Sequence, residues 1–240
     1  MDLLVEVVKI IDDDEDSALP SKYLVEDLGY EAELITNGSY HSVEELTQKI
    51  LSDTRKIAVL CDNRLTHGAF ANFDGSALVA SLYGHKIPSI LLTQFSSIDI
   101  DTSIRRYRRW MPVMLARSDA SMTSVADGLE FCFRELEGFI SHSRMPHRTL
   151  IEAVGCSTDG KEAVLDAFVP GWDPETAVRF PLSLIQDEDT RYRTIATVQA
   201  DQIAYLFAEV NIGATRQEDL FFDKFEWVDM PGASLTDFFI

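Results

Sequence analysis

Short apolar runs alternate with stretches of helical periodicity through the first 140 residues. Residues 5–11 (VEVVKII) form a mostly apolar, β-branched run, the pattern of a strand buried on both faces. Over 17–28, Leu19, Tyr23, Leu24 and Leu28 recur at helical spacing, and Gly29 follows as a C-cap. A short strand at 31–36 and an Asn37-Gly38 turn lead to a second helix over 42–51, with Val43, Leu46, Ile50 and Leu51 on one side. Buried strands are expected at 56–61 (KIAVLC), 87–93 (IPSILLT) and 112–116 (PVMLA), and helices at 75–83 and 100–110. The clearest amphipathic pattern closes the series: Val125, Leu129, Cys132, Phe133, Leu136 and Ile140 follow the 3.6-residue period. Five strands alternating with five helices predict an α/β domain over 1–140, a doubly wound parallel sheet built from right-handed crossovers.

The texture changes at 141–148. The segment SHSRMPH carries a proline and no apolar periodicity, and it reads as a linker. Beyond it, over 149–240, six runs of alternating or β-branched residues are expected as strands: RTLIEAVG, AVLDAFV, AVRFPLSLI, YRTIATVQ, AYLFAEVNI and DLFFDKFEWV. Asp159-Gly160, Pro170-Gly171 and residues 187–189 supply turns between them. The expectation for this half is a β-rich sandwich or barrel of about six strands.

Composition narrows the functions. The 240 residues are 46% hydrophobic and 10% aromatic, enough for proper cores. No run approaches the roughly 20 apolar residues of a membrane span. The net charge is −19, with 14 basic against 23 acidic residues up to Met145 and 7 against 17 beyond it, so both parts are acidic. That balance argues against nucleic acid as a partner, because phosphate binding rests on clustered Lys and Arg. Cys61, Cys132 and Cys156 are odd in number and widely spaced, the usage of reduced thiols in a cytoplasmic protein. His41, His67, His85, His142 and His147 show no ligand spacing with them.

Chemistry concentrates where the strands of the first half end. In a parallel α/β sheet, functional groups gather at the carboxyl edge. Asp12 and Asp13 follow the first strand, Asp62 the third, Thr93 the fourth and Arg117 the fifth. Converging carboxylates repel unless a cation lies among them, and an oxygen-only set suits Mg²⁺. A phosphoryl group carried on one carboxylate would give the hydroxyl and the arginine a task, binding its equatorial oxygens.

The order and spacing of these residues resemble the receiver domains of bacterial response regulators, which have a flavodoxin-like fold. The resemblance spans about residues 5–140 and rests on IIDDDED, AVLCDNRL, the FDG that opens the third helix, and PSILLT. It implies that Asp12 and Asp13 bind Mg²⁺ together with Asp62 and the backbone carbonyl of Arg64. It also implies that Asp62 accepts a phosphoryl group from a histidine kinase or phosphotransfer protein, and that Thr93 grips that group. Three features depart from the family. Arg117-Ser118 stands where a lysine and often a proline follow the fifth strand, Met114 replaces an aromatic switch residue, and the loop NRLTHGAFAN after Asp62 is long and lacks proline. An arginine's planar fork does not sit where an ammonium would.

Two other readings stay open. The domain is a pseudo-receiver, a phosphorylation-independent interaction scaffold, or Asp12-x-Asp14 is the nucleophile and acid–base pair of a haloacid-dehalogenase-like phosphatase, which that motif resembles. Elsewhere, Arg105, Arg106, Arg108 and Arg109 form a basic patch expected to dock an acidic partner. The aromatic-rich second half, read mostly as core strands, ends in the apolar LTDFFI, for which packing on a partner or on a second copy in a homodimer is the alternative.

Overall fold

The computed structural model describes residues 5–94, 99–159 and 162–229, which fall into two compact units divided between Ser141 and His142. The tail LTDFFI and Gly160 lie outside the described residues. In the first unit, β1 (Val7–Ile11), β2 (Glu31–Ile35), β3 (Ile57–Asp62), β4 (Ser89–Thr93) and β5 (Val113–Ala116) form one parallel sheet in the order β2-β1-β3-β4-β5. This is the flavodoxin-like topology, whose winding reverses beside β1 and β3. The helices are α1 (Glu15–Asp27), α2 (Val43–Leu51), α3 (Gly75–Gly84), a single turn α4 (Arg105–Tyr107) and α5 (Met122–Leu136).

The apolar runs are buried as their composition requires, on both sheet faces. Leu46 and Ile50 of α2 and Leu78 and Leu82 of α3 pack with Val7, Val59 and Leu91 on one face. Val25 of α1 and Val125, Leu129 and Cys132 of α5 pack with Val8, Ile10, Leu60 and Ile90 on the other. Helix starts follow capping chemistry: Asp14, Ser42 and Ser121 accept from the amides of Ser17, Glu45 and Ser124. Gly29, at φ +85°, takes the left-handed position just past α1, as its place in the sequence predicted.

Residues 100–110 are not one regular helix. A π turn (Ile100–Ile104), α4 and a 3₁₀ turn (Arg108–Trp110) succeed one another. Two of the four arginines expected to form a surface patch are buried. Arg105 and Arg108, spaced three apart, share a face that points inward and are 1% and 2% exposed. Arg105 reaches Asp101 at 3.9 Å, and the Arg108 guanidinium donates to the Met111 carbonyl. Arg106 and Arg109 keep partial exposure.

One charge sits inside the strand pattern. Lys9, in the middle of β1, is 4% exposed, and its ammonium pairs with Glu33 at 2.9 Å and Asp53 at 2.8 Å. Arg55 completes the cluster on Asp53, Glu31 and Glu33. The Arg55 guanidinium, then Lys9, hold the Asp53 carboxyl well below the usual carboxylate range. A carboxylate depressed in the folded state stabilises above its unfolded pKa of about 3.9, and this contribution is lost as pH falls through the folded value. Asp53→Asn therefore lowers the urea midpoint at pH 7, and its deficit against wild type narrows as pH drops below about 4. A deficit unchanged from pH 7 to strongly acidic buffer would exclude the ion-pair origin.

The second unit is β-rich, with one open antiparallel sheet in the order β10-β9-β6-β7-β8. Its strands are β6 (His147–Asp159), β7 (Glu162–Val169), β8 (Asp173–Pro181), β9 (Ala204–Val210) and β10 (Phe222–Trp227). Among the described residues five strands, not six, are present, in one sheet rather than a sandwich or barrel. The run YRTIATVQ belongs instead to α6 (Glu188–Gln199), which packs on β6, β9 and β10. Asp187 caps it, Glu188 and Asp189 suit its positive end, and Thr190, Thr194 and Val198 recur every four residues on the buried side. Ile151, Leu165, Phe180, Leu206 and Phe222 form the core beneath, with Phe180 and Phe222 stacked at 4.7 Å. From His142 onward the expected linker is also part of this unit. Arg144 is 3% exposed over the Phe221 ring, the buried Asn211 amide donates to the carbonyls of Ser143 and Asp219, and His147 already opens β6.

Candidate functional site

The strand ends converge. Asp12 and Asp13 directly follow β1, Asp62 ends β3, Thr93 ends β4 and Arg117 directly follows β5. All five line one cavity of about 510 Å³, with Ser17, Asn63, Arg64, Thr66, His67, Gln94 and Asp99. The cavity opens where the winding of the sheet reverses. Asp12, Asp13 and Asp62 each place a carboxylate oxygen within 4.8 Å of the others.

Backbone amides hold these carboxylates in place. The Asp14 amide donates to Asp12 Oδ1 at 3.1 Å, the Arg64 amide to Asp62 Oδ2 at 2.9 Å, and the His67 amide to Asp13 Oδ2 at 2.6 Å. The long loop after β3 thus supplies two of the three donors. It is anchored by buried Leu65 and Phe70 and by a bridge between Ala71 and Tyr40. Below the pocket, α3 starts hard against β3. The Gly75 amide donates to the Asn63 carbonyl at 2.8 Å, and a Cβ built at Gly75 would lie 1.8 Å from the Asp62 carbonyl oxygen, so no larger residue fits without movement.

Arg117 provides the positive charge. Its Nη2 lies 2.5 Å from Asp12 Oδ2 and 2.8 Å from Asp62 Oδ1, its Nε donates to Asp62 Oδ1 at 3.0 Å, and its Nη1 donates to the Ser17 carbonyl at 3.0 Å. Burial pushes the Asp12 carboxyl above the usual carboxylate range, and the hydrogen bond and charge of Arg117 pull the other way. Burial also disfavours the Arg117 charge, but its bond to Asp12 and the nearby Asp62 outweigh that, leaving the guanidinium more firmly protonated than usual. A second arginine, Arg64, turns its side chain to Asp99, with Nε and Nη2 at 3.2 and 3.0 Å from Oδ2.

The donor set, three carboxylates and no nitrogen or sulfur, has the chemistry of a site for a hard divalent cation such as Mg²⁺. Asp14 is not part of it. Its carboxylate caps α1 by accepting from the Ser17 amide at 2.9 Å, the Ser17 hydroxyl and then that amide lower its pKa, and it does not line the cavity. The acid–base role of a dehalogenase-like phosphatase is therefore not available to it. Met114 lies buried in the sheet core. Reading by residue type missed Asp99, Asn63 and the backbone amide of His67; the unusual length of the loop after Asp62 was the one signal for the last two.

No family model matches the chain, and no curated protein is similar to it. Many similar solved structures are response regulator receiver domains, covering about 55% of the chain and leaving its C-terminal part unmatched. A response regulator receiver domain protein from Clostridium thermocellum is 14% identical, with 57% of this chain and 100% of that one covered, at a TM-score of 0.43. The signal receiver domain of a modulated diguanylate cyclase from Desulfovibrio desulfuricans G20 is 20% identical over 55% and 97%, at 0.44. A response regulator receiver domain protein from Methanospirillum hungatei JF-1 is 18% identical over 55% and 97%, at 0.41. What the pocket does rests on its own residues.

The Asp12–Arg117 pairing is measurable. Removing one partner of a largely buried pair strands the other charge. Arg117→Met costs more stability in the wild-type chain than in an Asp12→Asn background, by about 1–3 kcal/mol in urea unfolding. Equal costs in the two backgrounds would show that the two side chains do not interact.

Proposed function

We propose that the first unit is the receiver of a two-component or phosphorelay system, with Asp62 as its phosphoryl acceptor, and that the β-rich second unit is its output or interaction module. One observation carries this reading: Asp62 stands at the end of β3, grouped with Asp12 and Asp13 in a cavity that Thr93 and Arg117 also line. In the reaction, a carboxylate oxygen of Asp62 bonds to the donor's phosphorus. The phosphorus–nitrogen bond of the phosphohistidine breaks, and the imidazole leaves with the bonding pair and takes up a proton. The Thr93 hydroxyl and the Arg117 guanidinium would bind the phosphoryl oxygens. Asp12, Asp13, Asp62 and the carbonyl of Arg64 would hold Mg²⁺, which when bound offsets the charge of the carboxylates and the incoming phosphoryl group. The partner is then a histidine kinase or phosphotransfer protein, met in the cytoplasm. Among the described residues no helix is long and apolar enough to cross a membrane.

One observation favours a second reading, a pseudo-receiver scaffold. Both Asp62 oxygens already accept hydrogen bonds, Oδ1 from Arg117 and Oδ2 from the Arg64 amide. Incubation of the full chain with Mg²⁺ and acetyl phosphate separates the two. A receiver gains the mass of one phosphoryl group, Asp62→Asn abolishes the gain, and Thr93→Ala slows it. An unchanged wild-type mass, together with no response to beryllofluoride, rejects phosphoryl acceptance and leaves the scaffold.

A further inference from the structure

The placement of Arg117 has a consequence for cation binding. A guanidinium nitrogen that approaches oxygens of both Asp12 and Asp62 occupies the space between them in the manner of a bound ion. The separations, 2.5 and 2.8 Å, are those of charge-assisted hydrogen bonds and are clearly longer than the roughly 2.0–2.1 Å of Mg²⁺–oxygen contacts. The fork is held from a third side by the Ser17 carbonyl at the start of α1. Its side chain is 25% exposed, whereas those of Asp12 and Asp62 are 4% and 12% exposed, so the arginine is the most exposed of the three.

We infer that Arg117 is a built-in counter-cation that competes with divalent metal for Asp12 and Asp62. In the resting pocket the guanidinium neutralises the two carboxylates, and metal enters when Arg117 withdraws from them. Two charges of the same sign cannot share these oxygens without strong mutual repulsion in a partly desolvated pocket. The choice of arginine matters. It brings three nitrogens to bear at once, on Asp12, Asp62 and Ser17, where a lysine ammonium is a single point charge on a flexible stem. Asp13 stands apart from this clamp: its Oδ2 accepts from the His67 amide, and its carboxylate stays grouped with those of Asp12 and Asp62. The inference rests on the pocket being a cation site, as the proposed function requires.

The test is Mn²⁺ binding to the full chain, followed by electron paramagnetic resonance of the free ion and by thermal unfolding. Arg117→Gln binds Mn²⁺ at least tenfold more tightly than wild type, and Mn²⁺ raises its melting temperature more than that of wild type. Arg117→Lys, which keeps the charge but loses the fork, falls between the two and decides the question if the glutamine variant does not fold. Adding Asp13→Asn to either variant removes the gain. Binding that depends on Asp13 but is equally tight in all three chains overturns the competition and leaves the cation site standing. No Asp13-dependent binding in any chain overturns the cation site itself, and the competition with it.

Discussion

Asp12, Asp13 and Asp62 repel one another at the crevice beside β1 and β3, and burial strengthens that repulsion by removing the water that would screen it. The first unit answers with donors drawn from distant parts of the chain. Amides of Asp14, Arg64 and His67 orient the three carboxylates, and Arg117, 105 residues after Asp12, brings the opposing charge. The turn after β1, the long loop after β3, the turn after β5 and the first turn of α1 are thereby referenced to one point. This electrostatic knot, rather than any single side chain, gives the pocket its shape.

Much of this architecture was legible in the sequence because strand ends are legible. The apolar runs at 5–11, 56–61, 87–93 and 112–116 stop where polar residues begin, and β1, β3, β4 and β5 end within one residue of those points. Parallel strands aligned in a sheet then carry whatever follows each run to the same edge, so Asp12, Asp62, Thr93 and Arg117 could be grouped from order alone. The partners of Arg117 were not legible. Residue type shows that a cation is present, but which carboxylates it reaches depends on a side-chain conformation that only packing selects. Backbone donors such as the His67 amide have no signature in residue type at all.

The errors share a physical cause: charge and branching are weak guides to burial and secondary structure. Arg105 and Arg108 turn inward although four arginines in five positions read as surface. In the second unit, the β-branched residues of YRTIATVQ suggested a strand. The cap at Asp187 and the four-residue recurrence of Thr190, Thr194 and Val198 were the better signals, and the Thr194 hydroxyl bonds back to the Thr190 carbonyl as buried threonines in helices do. The acidic trio is the one cluster of metal-ligating side chains found among the described residues, and the second unit contributes none of it.

Gly75 gives the pocket a different kind of dependence. It has no functional group and does not line the cavity, yet α3 can begin where it does only because nothing projects from that position toward the Asp62 carbonyl. Exchanging Thr93 or Arg117 changes the groups that face the cavity. A side chain at position 75 would instead drive helix and strand apart and carry the Asp62 backbone with them. Sequence drift in this pocket is thus constrained at two levels, by the chemistry of its walls and by an emptiness beneath its floor. The second is the less forgiving, since no choice among the larger residues restores the missing space.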